Sequence, residues 1–293
     1  MKILILGANG LLGHKLWLEL SKNHSVVGTV RKAPENLRIL SNKNRMLIEN
    51  VDMWDRESIA TLMTTQQPDI VINAVGIIKQ RDDAHNEKES TYINAQLPHL
   101  LADLCLSENA RFIHFSTDCV FNGSRGDYIE IDSSDAEDLY GKTKFAGETT
   151  EKNTFTMRTS IIGHELTNHA SLIDWFLGAP KEVKGFTKAI YTGFPTLEIA
   201  RILEEFVFPH PELYGMYHVA SRQINKYKLL NIVNEIYGKN ANITKETNFF
   251  MERSLNSERF NHATGFVPKS WKKMVEEMHS DYLKNRELYI PVS

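Results

Sequence analysis

The sequence has few cysteines, little net charge and no long apolar run. Cys105 and Cys119 are the two cysteines among 293 residues; they are too few for a disulfide framework and lack the spacing of a metal site. The formal net charge of −3 gives no electrostatic reason to expect nucleic acid or an anionic membrane as a partner. No segment approaches the ~20 apolar residues of a membrane helix, and the apolar run after Met1 is too short for a signal peptide. We therefore expect a soluble protein of the reducing cytoplasm without a metal site.

Short apolar runs alternate with segments of helical periodicity as far as Ser160. Continuous apolar runs are typical of parallel strands that are buried on both faces. The alternation therefore predicts a parallel sheet with helices on both faces. The predicted strands are Lys2–Leu6, Ser25–Val30, Arg45–Val51, Asp69–Val75, Arg111–Ser116 and Thr154–Ser160, and the main predicted helices are Leu11–Leu20, Arg56–Thr65, Ser90–Ser107 and Tyr140–Lys152.

The alternation loosens after residue 163. We interpret residues 1–163 as one domain and residues 164–293 as a smaller, mostly helical lobe, with some exchange of chain between the two. The polar run at 79–90 is predicted to be a surface loop. The elements predicted in the second lobe are helices at 172–176, 195–208, 226–237 and 271–282 and short strands at 189–191 and 215–219.

Three glycines lie between the first strand and the first helix, in the pattern Gly7-x-x-Gly10-x-x-Gly13. Glycines at this place permit a tight turn and let the backbone approach a pyrophosphate, which the N-terminus of the helix attracts. Such turns also occur without nucleotides, but the strand and the helix on either side favour a dinucleotide site. The predicted cofactor contacts in this turn are Gly7, Asn9, Gly10, Leu11, Leu12 and Gly13.

The second predicted strand ends without an acidic residue. Enzymes that use NAD commonly place Asp or Glu about 20 residues past the glycines, where the carboxylate holds the ribose 2′-hydroxyl. Here Arg31 can bind a 2′-phosphate through its planar guanidinium, and Lys32 adds positive charge. NADPH is therefore favoured as the cofactor, with NADH as the second choice. A solvated basic turn is the alternative interpretation.

Residues after the third, fourth and fifth strands complete the predicted cofactor site. The carboxylate of Asp52 can bond the adenine amino group, or it can cap the helix that starts near Asp55. The small residues of Asn73-Ala-Val-Gly76 let a ribose lie close to the backbone. The remaining predicted cofactor contacts are Met53, Ala74, Val75, Gly76 and Ser116.

Tyr140 and Lys144 are four residues apart, so on a helix they share one face. An ammonium beside a phenol stabilises phenolate, so we expect Lys144 to lower the pKa of Tyr140 from ~10 towards neutral pH. Tyr140 would then protonate the oxygen of a carbonyl under reduction, while Thr117 polarises that carbonyl and Lys144 also holds the nicotinamide ribose. A Tyr-x-x-x-Lys pair alone arises often by chance. The glycine turn and Ser116-Thr-Asp118 at the expected strands favour the catalytic interpretation.

Two further side chains near these motifs are assigned other roles. No obvious histidine partner follows Cys119 in the sequence to lower the pKa of its thiol, so we interpret it as pocket lining and not as a nucleophile. His114 lies within a buried strand pattern and is expected to be a hydrogen-bonded core histidine.

These motifs resemble the extended short-chain dehydrogenases/reductases, most closely the dTDP-4-dehydrorhamnose reductase family, over nearly the whole chain. The segments that carry the resemblance are Gly7–Gly13, Ser116–Gly123, Tyr128–Asp132, Tyr140–Glu148, Met157–Ser160, Gly215–Ala220, Arg253–Ser257 and Thr264–Phe266. The resemblance implies a Rossmann-like, doubly wound fold with a sugar-nucleotide lobe. It also implies reduction of a 4-keto-6-deoxy sugar nucleotide by NAD(P)H, in surface polysaccharide synthesis.

The resemblance places Thr117, Tyr140 and Lys144 at the family's catalytic positions, and Arg253 where a diphosphate contact is expected. The chain departs from the family where it has Cys119 in place of a frequent tyrosine, and Ala136 in place of the usual proline. The first difference alters the pocket near the sugar, so the base and the sugar stay open. The predicted substrate contacts are Ile78, Lys79, Asp118, Cys119, Val120 and Arg253.

Two other functions and the oligomeric state stay open. An epimerase or dehydratase would use the same three side chains with retained NAD⁺; Asp118 offers the extra acid of a dehydratase, but the missing acid after the second strand disfavours tightly held NAD⁺. A regulatory protein that binds NADP without catalysis often lacks part of the Tyr/Lys pair, which is intact here. The apolar helix at 97–106 is a candidate contact for a homodimer.

Overall fold

The structure is a computed structural model that describes residues 1–78, 86–167 and 170–289. Seven strands form a central sheet in which each neighbouring pair is parallel. The strands of the described chain are β1 (Lys2–Leu6), β2 (Ser25–Thr29), β3 (Arg45–Ile48), β4 (Ile70–Asn73), β5 (Arg111–Ser116), β6 (Thr154–Arg158), β7 (Ile161–Ile162), β8 (Glu182–Tyr191), β9 (Phe194–Pro195), β10 (Gly215–His218), β11 (Ile224–Asn225) and β12 (Asn242–Glu252).

Helices cover both faces of this sheet, as the alternation predicts. The helices are α1 (Gly13–Leu20), α2 (Glu35–Arg38), α3 (Arg56–Gln66), α4 (Glu87–Thr91), α5 (Leu97–Ser107), α6 (Leu139–Ala146), α7 (Leu172–Gly178), α8 (Thr196–Ile202), α9 (Lys226–Tyr237), α10 (Glu258–Thr264) and α11 (Trp271–Lys284). Two π-helical turns, Tyr92–Gln96 and Leu203–Val207, continue α4 into α5 and extend α8. No helix in the described ranges is both long and apolar enough to cross a membrane.

The sheet has the order β10-β6-β5-β4-β1-β2-β3. Alternate residues of β1 enter two separate cores: Ile3 and Ile5 pack on one face, and Leu4 and Leu6 on the other. This is the pattern of a strand that is covered on both sides. The strand order reverses between β1 and β4, and open α/β sheets bind ligands outside the carboxyl ends of the strands at such a reversal.

A second sheet of three strands, in the order β11-β8-β12, was largely missed by the sequence analysis. Only residues 189–191 of β8 were predicted as strand, and β12 was not predicted at all. Most side chains of β12 are exposed or half-buried, so its sequence lacks the apolar alternation of a half-buried strand. The lobe therefore contains a long parallel β8–β12 pair beside its helices.

Some element boundaries also differ from the prediction. The described end of the polar run at 79–90 is helical, because α4 begins at Glu87; residues 79–85 of the run lie outside the described residues. The helix predicted at 140–152 ends at Ala146, where Gly147 takes the C-cap position. Residues 97–106, the candidate dimer contact, bury Leu97 and Leu101 within the chain, while Leu106 is exposed.

The last described residues of the chain are bonded to α1. Lys15 forms an ion pair with Asp281 in which the lysine is buried. The imidazole of His14 lies 2.8 Å from the carbonyl oxygen of Gly10 and 3.2 Å from the hydroxyl of Tyr289. The C-terminal end of the described chain thus supports the helix that follows the glycine turn.

Candidate active site

The glycine turn lies at the carboxyl end of β1. Gly7 has a φ of +81°, which favours glycine. A Cβ on Gly13 would lie 2.1 Å from the carbonyl oxygen of Gly7, so a larger residue would push α1 away from the strand. Within the described ranges, the backbone N–H groups of Asn9, Leu11 and Leu12 donate to no protein acceptor. Open amides at a helix N-terminus fit phosphate oxygens, so the turn fits the pyrophosphate of a dinucleotide.

The end of β4 lies beside this turn, as the order of the sheet requires. Ala74 donates its N–H to the carbonyl oxygen of Leu6, the last residue of β1, at 3.0 Å. The loop that follows is held by Asn94 in the first π-helical turn, whose side chain bonds both the N–H and the carbonyl of Ile77 at 2.9 Å. Sequence reasoning missed Asn94, since nothing local marks a π-helical turn. The predicted substrate contact Ile78 is half-buried here, and Lys79 lies outside the described residues.

Arg31 and Lys32 are exposed just past β2, as the cofactor prediction requires. Glu49, which the sequence analysis did not consider, comes close to them from the end of β3. Its carboxylate accepts two hydrogen bonds from Arg38, at 2.7 and 2.8 Å, and one from the N–H of Ala33 at 3.1 Å. These bonds, with the Arg38 bond as the largest cause, lower the pKa of Glu49 to about 2. The carboxylate of Glu49 is therefore already bonded within the protein.

The structure excludes one of the two roles considered for Asp52 and places the side chain of Met53 in the core. Asp52 does not cap α3; the cap is Asp55, whose carboxylate accepts from the N–H of Ser58 at 2.9 Å. The exposed Asp52 instead accepts from the N–H of Trp54 at 3.1 Å. The side chain of Met53 is 8% exposed and packs in the core, so it anchors the loop between β3 and α3.

The three predicted catalytic residues come together at the carboxyl end of β5. Thr117 follows β5 directly, and its hydroxyl is hydrogen-bonded to Tyr140 on α6. Lys144, one turn further along α6, donates to the carbonyl oxygen of Phe115 in β5 at 2.6 Å. A Cβ on Gly141 would lie 2.3 Å from the carbonyl oxygen of Cys119, so glycine after the tyrosine lets α6 approach this loop.

The charge states of this group differ from the expectation that Lys144 lowers the pKa of Tyr140. Burial raises the pKa of Tyr140 well above its ordinary value, the negative charge of Asp118 adds to the rise, and the hydrogen bond of Thr117 opposes it. The same burial lowers the pKa of Lys144 from 10.5 to about 8, against the opposing charge of Glu148. Tyr140 is therefore a protonated phenol at neutral pH, which suits a proton donor.

We expect Lys144→Met to stabilise the fold at pH 7 by about 1–3 kcal/mol, because the buried ammonium costs free energy that an apolar side chain of similar length does not. The folded pKa of about 8 lies below the ordinary 10.5. The free energy of unfolding of the wild type therefore rises with pH between about 8 and 10.5, and the excess stability of the variant becomes smaller over that range. Urea unfolding at pH 7 and pH 9 measures both effects. A variant that is less stable than wild type at pH 7 would contradict the burial argument. So would a difference in free energy of unfolding that is the same at pH 7 and pH 9.

The hydroxyl of Ser116 is bonded to a buried ion pair beneath the site, which Glu148 forms with Arg158. This hydroxyl donates to Glu148 at 2.6 Å, and the contact of Ser116 with the cofactor stays a prediction. Glu148 also accepts two bonds of 2.6 Å from Arg158 on β6, and both side chains are buried. This pair ties the C-terminal end of α6 to the sheet.

His114 and Val120 are both core residues. The imidazole of His114 contacts the side-chain amide of Asn73 at 3.3 Å, while its Nε2 has no hydrogen-bond partner in the described part of the chain. Burial holds the pKa of His114 well below its ordinary value. Val120 is fully buried in a cluster with Phe121 and Tyr128. Its side chain is therefore enclosed by its neighbours, and a contact of Val120 with substrate stays a prediction.

The remaining predicted substrate contacts lie on either side of the Thr117 loop. Asp118 is 5% exposed and accepts from the hydroxyl of Thr117 at 3.2 Å. Arg253, which follows β12, donates from its Nη1 to the Sγ of Cys119 at 3.2 Å. The polar neighbour of the Cys119 thiol is thus an arginine that is distant in sequence, where the sequence analysis had looked only for a histidine.

Two polar side chains near this loop were not predicted. The hydroxyl of Tyr191 is buried at the end of β8, and Lys226 begins α9. The charge of Asp118 acts on both of them. The sequence places Tyr191 at the end of a short apolar run, a weak signal, and gives no sign that Lys226 faces inwards.

Comparisons with known proteins agree with the geometry. A family model described as RmlD substrate binding domain matches residues 1–284. The spore coat polysaccharide biosynthesis protein SpsK of Bacillus subtilis is 27% identical over 97% of this chain and 98% of its own. The dTDP-4-dehydrorhamnose reductase of Aggregatibacter actinomycetemcomitans is 23% identical over 95% of this chain and 98% of its own.

A solved structure has the same fold. The dTDP-4-dehydrorhamnose reductase of Bacillus anthracis, in complex with NADP, superposes with a TM-score of 0.76 at 18% identity, over 96% of this chain and 99% of its own. The family model, which spans nearly the whole sequence, confirms the resemblance found in the motifs. The chain belongs to the RmlD substrate binding domain family.

Proposed function

We propose that the protein reduces the 4-keto group of a nucleotide-linked 6-deoxy sugar with NADPH, as a cytoplasmic step of surface polysaccharide synthesis. The observation that carries the proposal is the grouping of Thr117, Tyr140 and Lys144 at the carboxyl end of β5: Thr117 is hydrogen-bonded to Tyr140, and Lys144 is bonded to Phe115 of that strand. This group lies two strands from the glycine turn at β1. Relatives named as dTDP-4-dehydrorhamnose reductase and as a spore coat polysaccharide protein support the substrate class and the pathway.

The side chains have separable roles in the proposed reaction. The glycine turn with Arg31 and Lys32 would hold NADPH, which supplies a hydride when bound. As the hydride adds to the keto carbon, the π bond of the carbonyl group breaks and its electron pair stays on the oxygen. Tyr140 gives its proton to that oxygen, and Thr117, bonded to Tyr140, orients the carbonyl. Lys144 stabilises the phenolate left behind until water returns the proton.

The reaction is tested by following NADPH absorbance with a panel of 4-keto-6-deoxy sugar nucleotides that carry thymine, uracil, guanine or cytosine bases, with NADH in parallel. Turnover with one of these substrates and a preference for NADPH is the expected result. NADPH binding without turnover of any panel member would contradict the proposal and favour a regulatory protein. Substrate-dependent change of configuration without net NADPH consumption would favour an epimerase.

The preference for NADPH is tested by Arg31→Ala. We expect the Kd for NADPH to rise about tenfold or more, because a charge-assisted hydrogen bond to the 2′-phosphate is lost, while the Kd for NADH changes less than about twofold. Fluorescence titration measures both. Lys43→Ala is the matched control, since Lys43 is exposed just before β3, at the amino end of the sheet. Equal losses for both cofactors would remove Arg31 from 2′-phosphate recognition.

A further inference from the structure

Leu288 and Tyr289 follow α11 and are bonded to elements beside both loops assigned to the cofactor. They are buried, at 4% and 5% exposure. The hydroxyl of Tyr289 lies 3.2 Å from the Nε2 of His14, in the first turn of α1. The carbonyl oxygen of Leu288 accepts a hydrogen bond of 2.6 Å from the side-chain amide of Asn36 in α2, the helix that follows the basic pair Arg31–Lys32. One short segment therefore contacts the support of both loops.

The hydrogen bonds of His14 fix its tautomer. The carbonyl oxygen of Gly10 can only accept, so the Nδ1 of His14, 2.8 Å away, carries a proton and donates it. Burial lowers the pKa of His14 to about 3, and the charge of Lys15 lowers it further, so the ring is neutral and its Nε2 is an acceptor. The hydroxyl of Tyr289 is therefore the donor to Nε2. The two bonds run in one direction, from Tyr289 through the imidazole to Gly10.

Lys15 holds the other side of the same hydroxyl. Its buried ammonium is hydrogen-bonded to the oxygen of Tyr289 and paired with Asp281 on α11. An ammonium can only donate, so the phenol accepts from Lys15 and keeps its own hydrogen for His14. The hydroxyl of Tyr289 thus has one donor and one acceptor, and its direction is determined on both sides.

The carbonyl that His14 holds belongs to the same peptide as an open amide of the glycine turn. A planar trans peptide points its C=O and its N–H in opposite directions, so a fixed Gly10 carbonyl also fixes the N–H of Leu11. That N–H donates to no acceptor within the described residues. An amide that is already held in place binds a phosphate oxygen at a smaller entropic cost than a mobile one. His14 therefore acts on an amide that a pyrophosphate would use.

Asn36 connects the same segment to the other cofactor loop. α2 begins three residues after the basic pair Arg31–Lys32. Its Leu37 is fully buried in the core that also contains Leu288, so the bond from Asn36 to the Leu288 carbonyl adds a polar contact to an apolar one. Displacement of Leu288 would remove both contacts from α2.

We propose that Tyr289 and His14 are positioning residues for the dinucleotide: they aim the Leu11 amide, and the segment 285–289 joins the glycine turn to α2 as one support for the cofactor. The proposal rests on the proposed function, because a dinucleotide is what would occupy both loops. Tyr289 and His14 act through the backbone of the turn and take no part in the chemistry. Their loss should therefore appear in cofactor affinity.

Tyr289→Phe tests the positioning role, because it removes the hydroxyl that donates to His14 and keeps the ring. We expect the Kd values for NADPH and NADH to rise by a similar factor of about three to ten, since both cofactors carry the pyrophosphate. Fluorescence titration measures both values without turnover. The equal loss distinguishes this variant from Arg31→Ala, which should weaken NADPH more than NADH.

Tyr237→Phe is the matched control. The hydroxyl of Tyr237 makes the corresponding bond of 2.8 Å to the Nε2 of His164, whose Nδ1 is bonded to Asp174 in place of a backbone carbonyl. Urea unfolding should show comparable losses of stability in the two variants, whereas Tyr237→Phe should leave both Kd values within about twofold. A second pair of variants tests His14 directly: His14→Asn keeps an amide donor near the place of Nδ1 and should retain most of the affinity that His14→Leu loses.

The results separate the positioning role from the reaction. Unchanged Kd values in Tyr289→Phe, or equal losses of affinity in Tyr289→Phe and Tyr237→Phe, would overturn the positioning role while the reaction stands. Wild type that binds neither cofactor would overturn both. Weaker binding of both cofactors in Tyr289→Phe by a protein that reduces no keto sugar would support the positioning role and reject the reaction. Asn36→Ala should weaken NADPH more than NADH, and unchanged values would remove α2 from the shared support.

Discussion

Replacement of Tyr140 by phenylalanine is expected to lower kcat by a factor of about 10² or more and to leave the Kd for NADPH nearly unchanged. The substitution removes the hydroxyl that is bonded to Thr117 and keeps the ring, so the proton donor is lost with little change of volume. Without it, the developing alkoxide must take a proton from water, a poorer donor in a buried site. Steady-state turnover of the best panel substrate, with a parallel NADPH titration, separates chemistry from binding.

Tyr214→Phe is the matched control for this experiment. Tyr214 is 50% exposed, so loss of its hydroxyl should leave both kcat and the Kd for NADPH unchanged. Retained turnover in Tyr140→Phe would sink the mechanism, whichever substrate is used. Loss of NADPH binding together with turnover would instead mean that the hydroxyl holds the cofactor, and the assignment of Tyr140 as proton donor would lose its support.

Arg158→Met is expected to lower the free energy of unfolding by about 3–5 kcal/mol. The guanidinium of Arg158 makes two bonds of 2.6 Å to Glu148, and the two side chains are 3% and 7% exposed. Methionine fills much of the volume but leaves the carboxylate of Glu148 buried without its counter-ion. Urea unfolding at pH 7 measures the loss.

Two further variants show whether the loss comes from the unpaired charge. The double variant Glu148→Gln with Arg158→Met removes both charges and should recover part of the stability, since an uncharged pair carries no large desolvation cost. Lys272→Met breaks an exposed pair with Glu235, in which the side chains are 59% and 68% exposed, and should change stability by less than about 1 kcal/mol. A loss in Arg158→Met no larger than that in Lys272→Met would contradict the buried-pair argument.

The central sheet was predictable because its strands carry their signal locally. β1 and β5 match the predicted ranges, Lys2–Leu6 and Arg111–Ser116, residue for residue. A strand that is buried on both faces must be apolar throughout, so a short window identifies it. β12 gave no such signal: most of its side chains face water, and it is a strand because its backbone pairs with β8.

The residues of the candidate site were likewise predictable only where the local sequence determines their position. Tyr140 and Lys144 were found because helical spacing places them on one face, and Thr117 because it follows an apolar strand. Tyr191 and Lys226 were missed because their positions depend on the pairing of β8 with β11, which local sequence does not encode. The pKa of Tyr140 was misjudged for a similar reason: the spacing gives its neighbour, whereas its burial depends on the whole fold.

The central sheet is completed late in the chain. β10, at residues 215–218, is its last strand and pairs with β6, while α1 is bonded to Asp281 and Tyr289. A chain emerging from the ribosome therefore cannot complete the seven-stranded sheet until its second half has been made, because one edge strand and the support of the first helix come last. Such long-range closure raises contact order, which slows folding and leaves partly assembled sheet edges open to aggregation.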